Sequence, residues 1–141
     1  LSLLGGMPSV AAVRELEDVL LTLPQVDFNL SHVIHAGMCA RTMMIPAGVA
    51  LTGALTNIDN TCIVCGDITV TTDDGPKRLT GYHVLPAKLG AKRAGFAHAD
   101  TWWTTIHRTD LVSISDIEDE MTDESAGLGS RRQLITDGAA K

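Results

Sequence analysis

The stretch Asp67-Ile68-Thr69-Val70-Thr71-Thr72-Asp73-Asp74-Gly75 decides the fold class. Ile68 and Val70 alternate with Asp67, Thr69 and Thr71, a period of two that gives one strand an apolar and a wet face. Asp73-Asp74-Gly75 then supplies a tight turn, since Gly accepts positive φ and Asp tolerates it. Just upstream, Gly66 interrupts the run Cys62-Ile63-Val64-Cys65, which predicts two short strands meeting at a kink or bulge. Strand, glycine, strand and Gly turn together point to a β-sandwich or barrel.

The chain around this stretch repeats the pattern. Residues 31–35, 38–45, 49–55 and 61–65 read as strands before it, and 77–82, 84–86, 92–96 and 102–107 after it. Gly37, Pro46-Ala47-Gly48, the 57–60 loop, Gly75-Pro76, Gly81, Pro86, Gly90 and Gly95 punctuate them. That spacing suits a sandwich, jelly roll or small barrel, and no alternating helices argue for a parallel α/β fold. Residues 1–29 form an N-terminal segment with an amphipathic helix over 8–22. Pro8 and Ser9 suit its first turn, Val10, Val13, Leu16, Leu20 and Leu21 its apolar stripe, and Pro24 its stop. The spacing predicts that this helix packs on the sheet or on a partner subunit. The β domain occupies 30–110, followed by an acidic segment and C-terminal arm over 111–141. Within the latter, Asp116, Glu118, Asp119, Glu120, Asp123 and Glu124 lie over a short helix, and 125–130 reads as a flexible spacer. Arg131, Arg132, Leu134 and Ile135 make an arm with charge and grease, suited either to disorder or to docking on a neighbour.

Composition narrows the function. A chain of 141 residues is one ordinary domain, 45% hydrophobic and 20% charged. A net charge of −6 with only 11 scattered Lys and Arg argues against a nucleic-acid partner, which needs a basic patch. The one local basic cluster, Lys88, Lys92 and Arg93, reads as a solvated turn. Apolar runs stop well short of the ~20 residues of a membrane span, so no membrane partner is expected. The opening 1–6 lacks the basic start of a secretion signal and an initiator Met, as expected of a processed or partial chain. Three cysteines make a poor disulfide framework. Cys62 and Cys65 fall in a strand, where residues three apart face opposite ways, so the pair reads as packing and not as a redox or zinc motif.

Catalytic templates are thin. No nucleophile elbow, P-loop, dinucleotide fingerprint or His-Glu-x-x-His helix occurs. The histidines are His32, His35, His83, His98 and His107. His32 and His35 should lie on opposite faces, and Asp100 could pair with the His98 imidazole. If any metal site exists, His35, His83 and His98 are its candidates. Trp102 and Trp103 are adjacent on a strand, so one should fill the core and the other cover the outer face as a contact for a helix or partner.

The segments Ile45-Pro46-Ala47-Gly48-Val49-Ala50-Leu51-Thr52-Gly53, Gly66-Asp67 and 92–107 resemble small cupin-like, jelly-roll proteins of tailed phages. Among these, the likeness is greatest to capsid cement, or decoration, proteins such as those of Bordetella phages. In metal-binding cupins the loop before the central Gly carries histidines and a carboxylate; here residues 56–60 offer only Asp59, and 86–91 offer no His. The resemblance therefore implies a jelly roll with no metal centre, no cofactor and no catalysis. It implies a homodimer on the outer surface of the virion capsid, bound to the major capsid protein. A metal-dependent or sugar-binding cupin with an atypical site, and a tail or fibre attachment component, are the alternatives.

Overall fold

The structure, a computed structural model, describes residues 10–72 and 74–128. It is mostly β: one curled antiparallel sheet of the jelly-roll type, preceded by a helix. The helix α1 spans Val10–Leu20. Its apolar stripe buries Val13 completely against Ala94, with Leu16 alongside. Residues 21 and 22 leave the helix as a turn, shortening the expected 8–22; Pro8 and Ser9 lie outside the described residues.

The strands are β1 (Ser31–His35), β2 (Met38–Ile45), β3 (Ala50–Thr52), β4 (Asn60–Thr72), β5 (Gly75–Ala87), β6 (Ala94–Ala97) and β7 (Thr101–Arg108). Their order is β1-β2-β7-β4-β6-β3, with β5 on the free side of β4. The expected break at Gly66 is absent: β4 runs through it, in unbroken register with β5 from Asn60↔Ala87 to Thr72↔Gly75. What changes at Gly66 is the other neighbour. Residues before it pair with β7, up to Cys65↔Trp102, and residues after it pair with β6, from Ile68↔Ala97. Gly66 is therefore the corner of the curl. A Cβ there would sit 2.5 Å from Thr101 Oγ1 and 2.7 Å from the Asp100 carbonyl oxygen, at a φ of +150°. The segments 77–82 and 84–86 likewise fuse into the single strand β5. The turn between β4 and β5 is closed by Thr72, whose hydroxyl donates to the Gly75 carbonyl and accepts from the Asp74 N–H; Asp73 lies outside the described residues.

The concave face holds the core, with Ile45, Val64, Ile68 and Ala97 at most 1% exposed and Trp103 at its edge. Burying each such aliphatic side chain is worth roughly 1.5–3 kcal/mol. The acidic run folds as α2 (Ile114–Met121), capped by the Ser113 hydroxyl on the Asp116 N–H. Ile117, Glu118 and Met121 face inward. The expected spacer at 125–130 starts instead as a packed 3-10 turn, Ser125–Gly127, with Ser125 and Leu128 buried. The reason is polar anchoring: the Thr122 hydroxyl donates to the Leu55 carbonyl and Ser125 donates to Asp119. Arg131, Arg132, Leu134 and Ile135 fall outside the described residues.

Candidate functional site

Inside the curl the alternating inward side chains leave a cavity of about 130 Å³. Ile45, Leu51, Ile68, Val70 and Trp103 make its apolar walls, and Arg41, Arg93, Asn60 and Cys62 bring polar groups to it. Asn60 is already engaged: its amide donates to the Ile58 carbonyl and its oxygen accepts from the Cys62 thiol. Burial pushes the Cys62 thiol above its ordinary pKa, which disfavours the thiolate. Asp59, the one carboxylate of the 56–60 loop, accepts from the Leu89 N–H at 2.9 Å and ties that loop to residues 88–90. Among the described residues, no three His, Cys, Asp or Glu side chains converge closely enough to hold a metal ion.

The histidines expected to be candidates are not brought together. His35 sits on edge strand β1, His83 on β5 with its Nε2 against the Thr80 carbonyl oxygen, and His98 in the β6–β7 turn. The expected His98–Asp100 pair does not form. His98 instead bonds the Thr69 hydroxyl at 2.8 Å and stacks edge-on with Phe96, while Asp100 accepts from the Ala47 N–H. His32 and His35 do lie on opposite faces. Cys62 and Cys65 also split, one buried and the other exposed.

Two polar clusters escaped the sequence. The first overturns the solvated-turn reading of Lys92. Its ammonium is fully buried, 3.0 Å from Glu17 of α1, 3.0 Å from Glu124 near the C-terminal turn and 2.9 Å from the Gly53 carbonyl oxygen. Glu124 also accepts from the Leu55 N–H, and Thr52 donates to Glu17. Burial works to raise the Glu124 pKa, but the bonds from Leu55 and Lys92 and the nearby positive charges outweigh it, and it ends below the usual value. Sequence distance hid this cluster: its members are 17, 52–55, 92 and 124. The second lies on the concave face, where His32 opposes Arg41 and Cys39 opposes His107. His32 Nε2, Arg41 Nε and both ring nitrogens of His107 are buried without a hydrogen-bond partner among the described residues. Burial lowers the pKa of His107, and burial and then Arg41 lower that of His32, with Glu118 on α2 opposing the latter.

The convex face is the other candidate surface. Trp102 is 51% exposed while Trp103 packs in the core, so the adjacent pair splits as its alternation requires. Cross-strand register places Met44, Trp102, Cys65 and Tyr82 in one row across β2, β7, β4 and β5. The next row is Thr42, Thr104, Ile63 and Val84, and the one beyond is Val33, Ala40, Ile106, Thr61 and Pro86, with β1 included. None of these three rows carries a charge. Charges appear only at the ends, with Arg108 beyond one and the bidentate Arg78–Asp67 pair beyond the other. Val33 at 62%, Tyr82 at 66% and Val84 at 56% exposure show that α1 does not cover this face. It packs on β3 instead.

No family model and no curated protein matches the chain. Solved structures similar to it include a cupin-2 domain protein from Shewanella frigidimarina, 11% identical over 64% of this chain and 90% of that one, with a TM-score of 0.47. A cupin superfamily protein from Desulfitobacterium hafniense is 13% identical over 65% and 88%, with a TM-score of 0.47. A putative ethanolamine utilization protein Q from Salmonella typhimurium is 14% identical over 58% and 69%, with a TM-score of 0.48.

Proposed function

We propose that this chain is a non-catalytic structural module that self-associates as a homodimer through the convex face of its sheet. The observation that carries the reading is the uncharged apolar surface centred on Trp102 with charge confined to its ends. An interface core depleted of charge, rich in Trp, Tyr and Met and rimmed by polar groups, is what association surfaces share. Five strands at about 4.8 Å and three to four rows at about 6.8 Å give a face on the order of 500 Å². Pairing two copies would bury roughly 1,000 Å², the lower bound for a specific interface. The resemblance to capsid cement proteins supplies the setting we propose for that dimer: the outer surface of an icosahedral phage capsid, bridging major capsid subunits. Arg131, Arg132, Leu134 and Ile135 would add contacts there. An atypical cupin enzyme and a tail or fibre component remain the competing readings.

The test is mass in solution. Wild-type protein at micromolar concentration should run at twice the 15.0 kDa chain mass by light scattering, and Trp102→Asp with Val84→Asp at 15.0 kDa with unchanged circular dichroism. A monomeric wild type, or a dimer indifferent to both aspartates, rules out this face. The capsid setting is tested separately, by co-sedimentation of wild-type protein with assembled shells, and fails if the protein stays in the supernatant.

A further inference from the structure

We propose that the cavity inside the curl binds a small apolar monocarboxylate, its carboxylate held by Arg41 and Arg93 and its hydrocarbon by the core walls. The inference stands apart from self-association, which uses the opposite face. Arg41 and Arg93 line one cavity whose other lining residues are mostly apolar, Ile45, Leu51, Ile68, Val70 and Trp103 among them. Arg41 and Arg93 are half-buried, and a guanidinium held at an apolar wall without a counter-charge is costly. Yet among the described residues neither Arg41 nor Arg93 has a carboxylate within ion-pair distance. Arg41 Nε is buried with no hydrogen-bond partner among those residues. The bond from Arg93 Nη1 to the Thr71 carbonyl oxygen is long at 3.4 Å, outside the usual 2.7–3.2 Å range. The nearby glutamates are committed elsewhere: Glu17 and Glu124 both hold Lys92. The charge of Glu118 acts on Arg41, opposing the effect of burial.

The chemistry of the lining selects the ligand class. A metal cation is repelled by two guanidiniums, and a multiply charged oxyanion would lose more hydration than apolar walls can replace. A monocarboxylate matches the guanidinium fork in charge and geometry. It also brings a hydrocarbon body for the rest of the space. The volume of about 130 Å³ is close to the roughly 150 Å³ of engineered apolar cavities that take up benzene. Arg41, Met43 and Leu51 also line an adjoining groove of about 540 Å³ between the sheet and the chain after α1.

The experiment titrates the full chain with sodium hexanoate and sodium benzoate, against 1-hexanol, benzyl alcohol and sulfate, by calorimetry and by methyl NMR of Ile68 and Val70. The carboxylates should saturate with a Kd of roughly 10 μM to 1 mM and shift those methyls. The alcohols and sulfate should bind at least about tenfold more weakly. Arg41→Met and Arg93→Met, which keep side-chain length while removing charge, should each weaken hexanoate by about tenfold in a folded protein. Should either Met variant unfold, the Lys variant at that position is used, and it should bind more weakly than Arg because the fork is lost. The proposal is overturned by any of three results: no saturable shift at about 10 mM carboxylate, equal binding of the alcohols, or affinity unchanged in the Arg41 and Arg93 variants.

Discussion

Replacing Lys92 by Met isolates the buried ion cluster that ties both ends of the chain to the sheet. The ammonium lies within 3.2 Å of three carboxylate oxygens and 2.9 Å of a backbone carbonyl oxygen, with no exposure of its side chain. Removing one member of a buried ion cluster costs about 3–5 kcal/mol, because the carboxylates left behind lose their compensation. Here the carboxylates are 26% and 27% exposed, so water restores part of that loss. The expected cost is therefore about 2–4 kcal/mol. That is a large fraction of the 5–15 kcal/mol by which a domain is stable, and corresponds to a drop in Tm of roughly 10 °C. Guanidinium unfolding followed by circular dichroism measures it. The cause is separated by a double-mutant cycle: in a Glu124→Gln background, where one carboxylate charge is gone, Lys92→Met should cost at least about 1 kcal/mol less. If Lys92→Met is neutral, or if the two substitutions add without coupling, the cluster is not what anchors α1 and the C-terminal turn.

Other expectations follow from the same geometry. Gly66→Ala should cost about 3 kcal/mol or more, since backbone atoms of 100 and 101 occupy the space of a Cβ, whereas Gly81→Ala, with nothing within 4 Å, should cost only about 1–2 kcal/mol for its positive φ. Chemical denaturation of both variants checks the ranking, and equal costs would refute the corner assigned to Gly66. Stability should fall as pH falls below about 6.5, the ordinary histidine value. The sign follows because His107 and His32 have lowered folded pKa values: the unfolded chain takes up protons first, and stability is lost through the interval down to the folded values. His107→Leu should flatten that slope in pH-dependent unfolding curves, and an unchanged slope would assign the loss to other groups. Glu124 adds a further loss below about 4.5, where its protonation in the unfolded chain precedes that in the folded one.

What was legible in the sequence was local. The alternation of Ile68 and Val70 placed β4, and the adjacency of Trp102 and Trp103 fixed which way each faces once the strand was known. Both follow from a period of two that needs no knowledge of neighbours. Gly66 was misread for an instructive reason. A glycine in a strand pattern signals that something comes close, but not whether the strand bends, bulges or simply runs beneath another backbone. Only the register, continuous with β5 and switching from β7 to β6, shows that the strand runs on unbroken and turns the corner of the curl close beneath residues 100 and 101. Lys92 was misread because a basic residue near two others and a glycine looks solvated. Its partners arrive from α1 and from residue 124, and no local window contains them.

The same distinction separates the two faces as sites. Convex-face residues announce themselves by type, since Trp102, Tyr82, Val84 and Val33 are apolar at positions that alternation sends outward. The sequence could have flagged that whole face by pairing strands β2, β7, β4 and β5 in register. The concave face gave no such signal, because Arg41 and Arg93 sit in segments whose other residues look like ordinary core. An arginine at an inward position of an apolar strand is the observation that should have been weighed. A half-buried guanidinium without an ion-pair partner among the described residues favours a ligand, and the cavity lined by both Arg41 and Arg93 supplies room for one. Among the residues that line this cavity, the charged ones are Arg41 and Arg93, and both are positive.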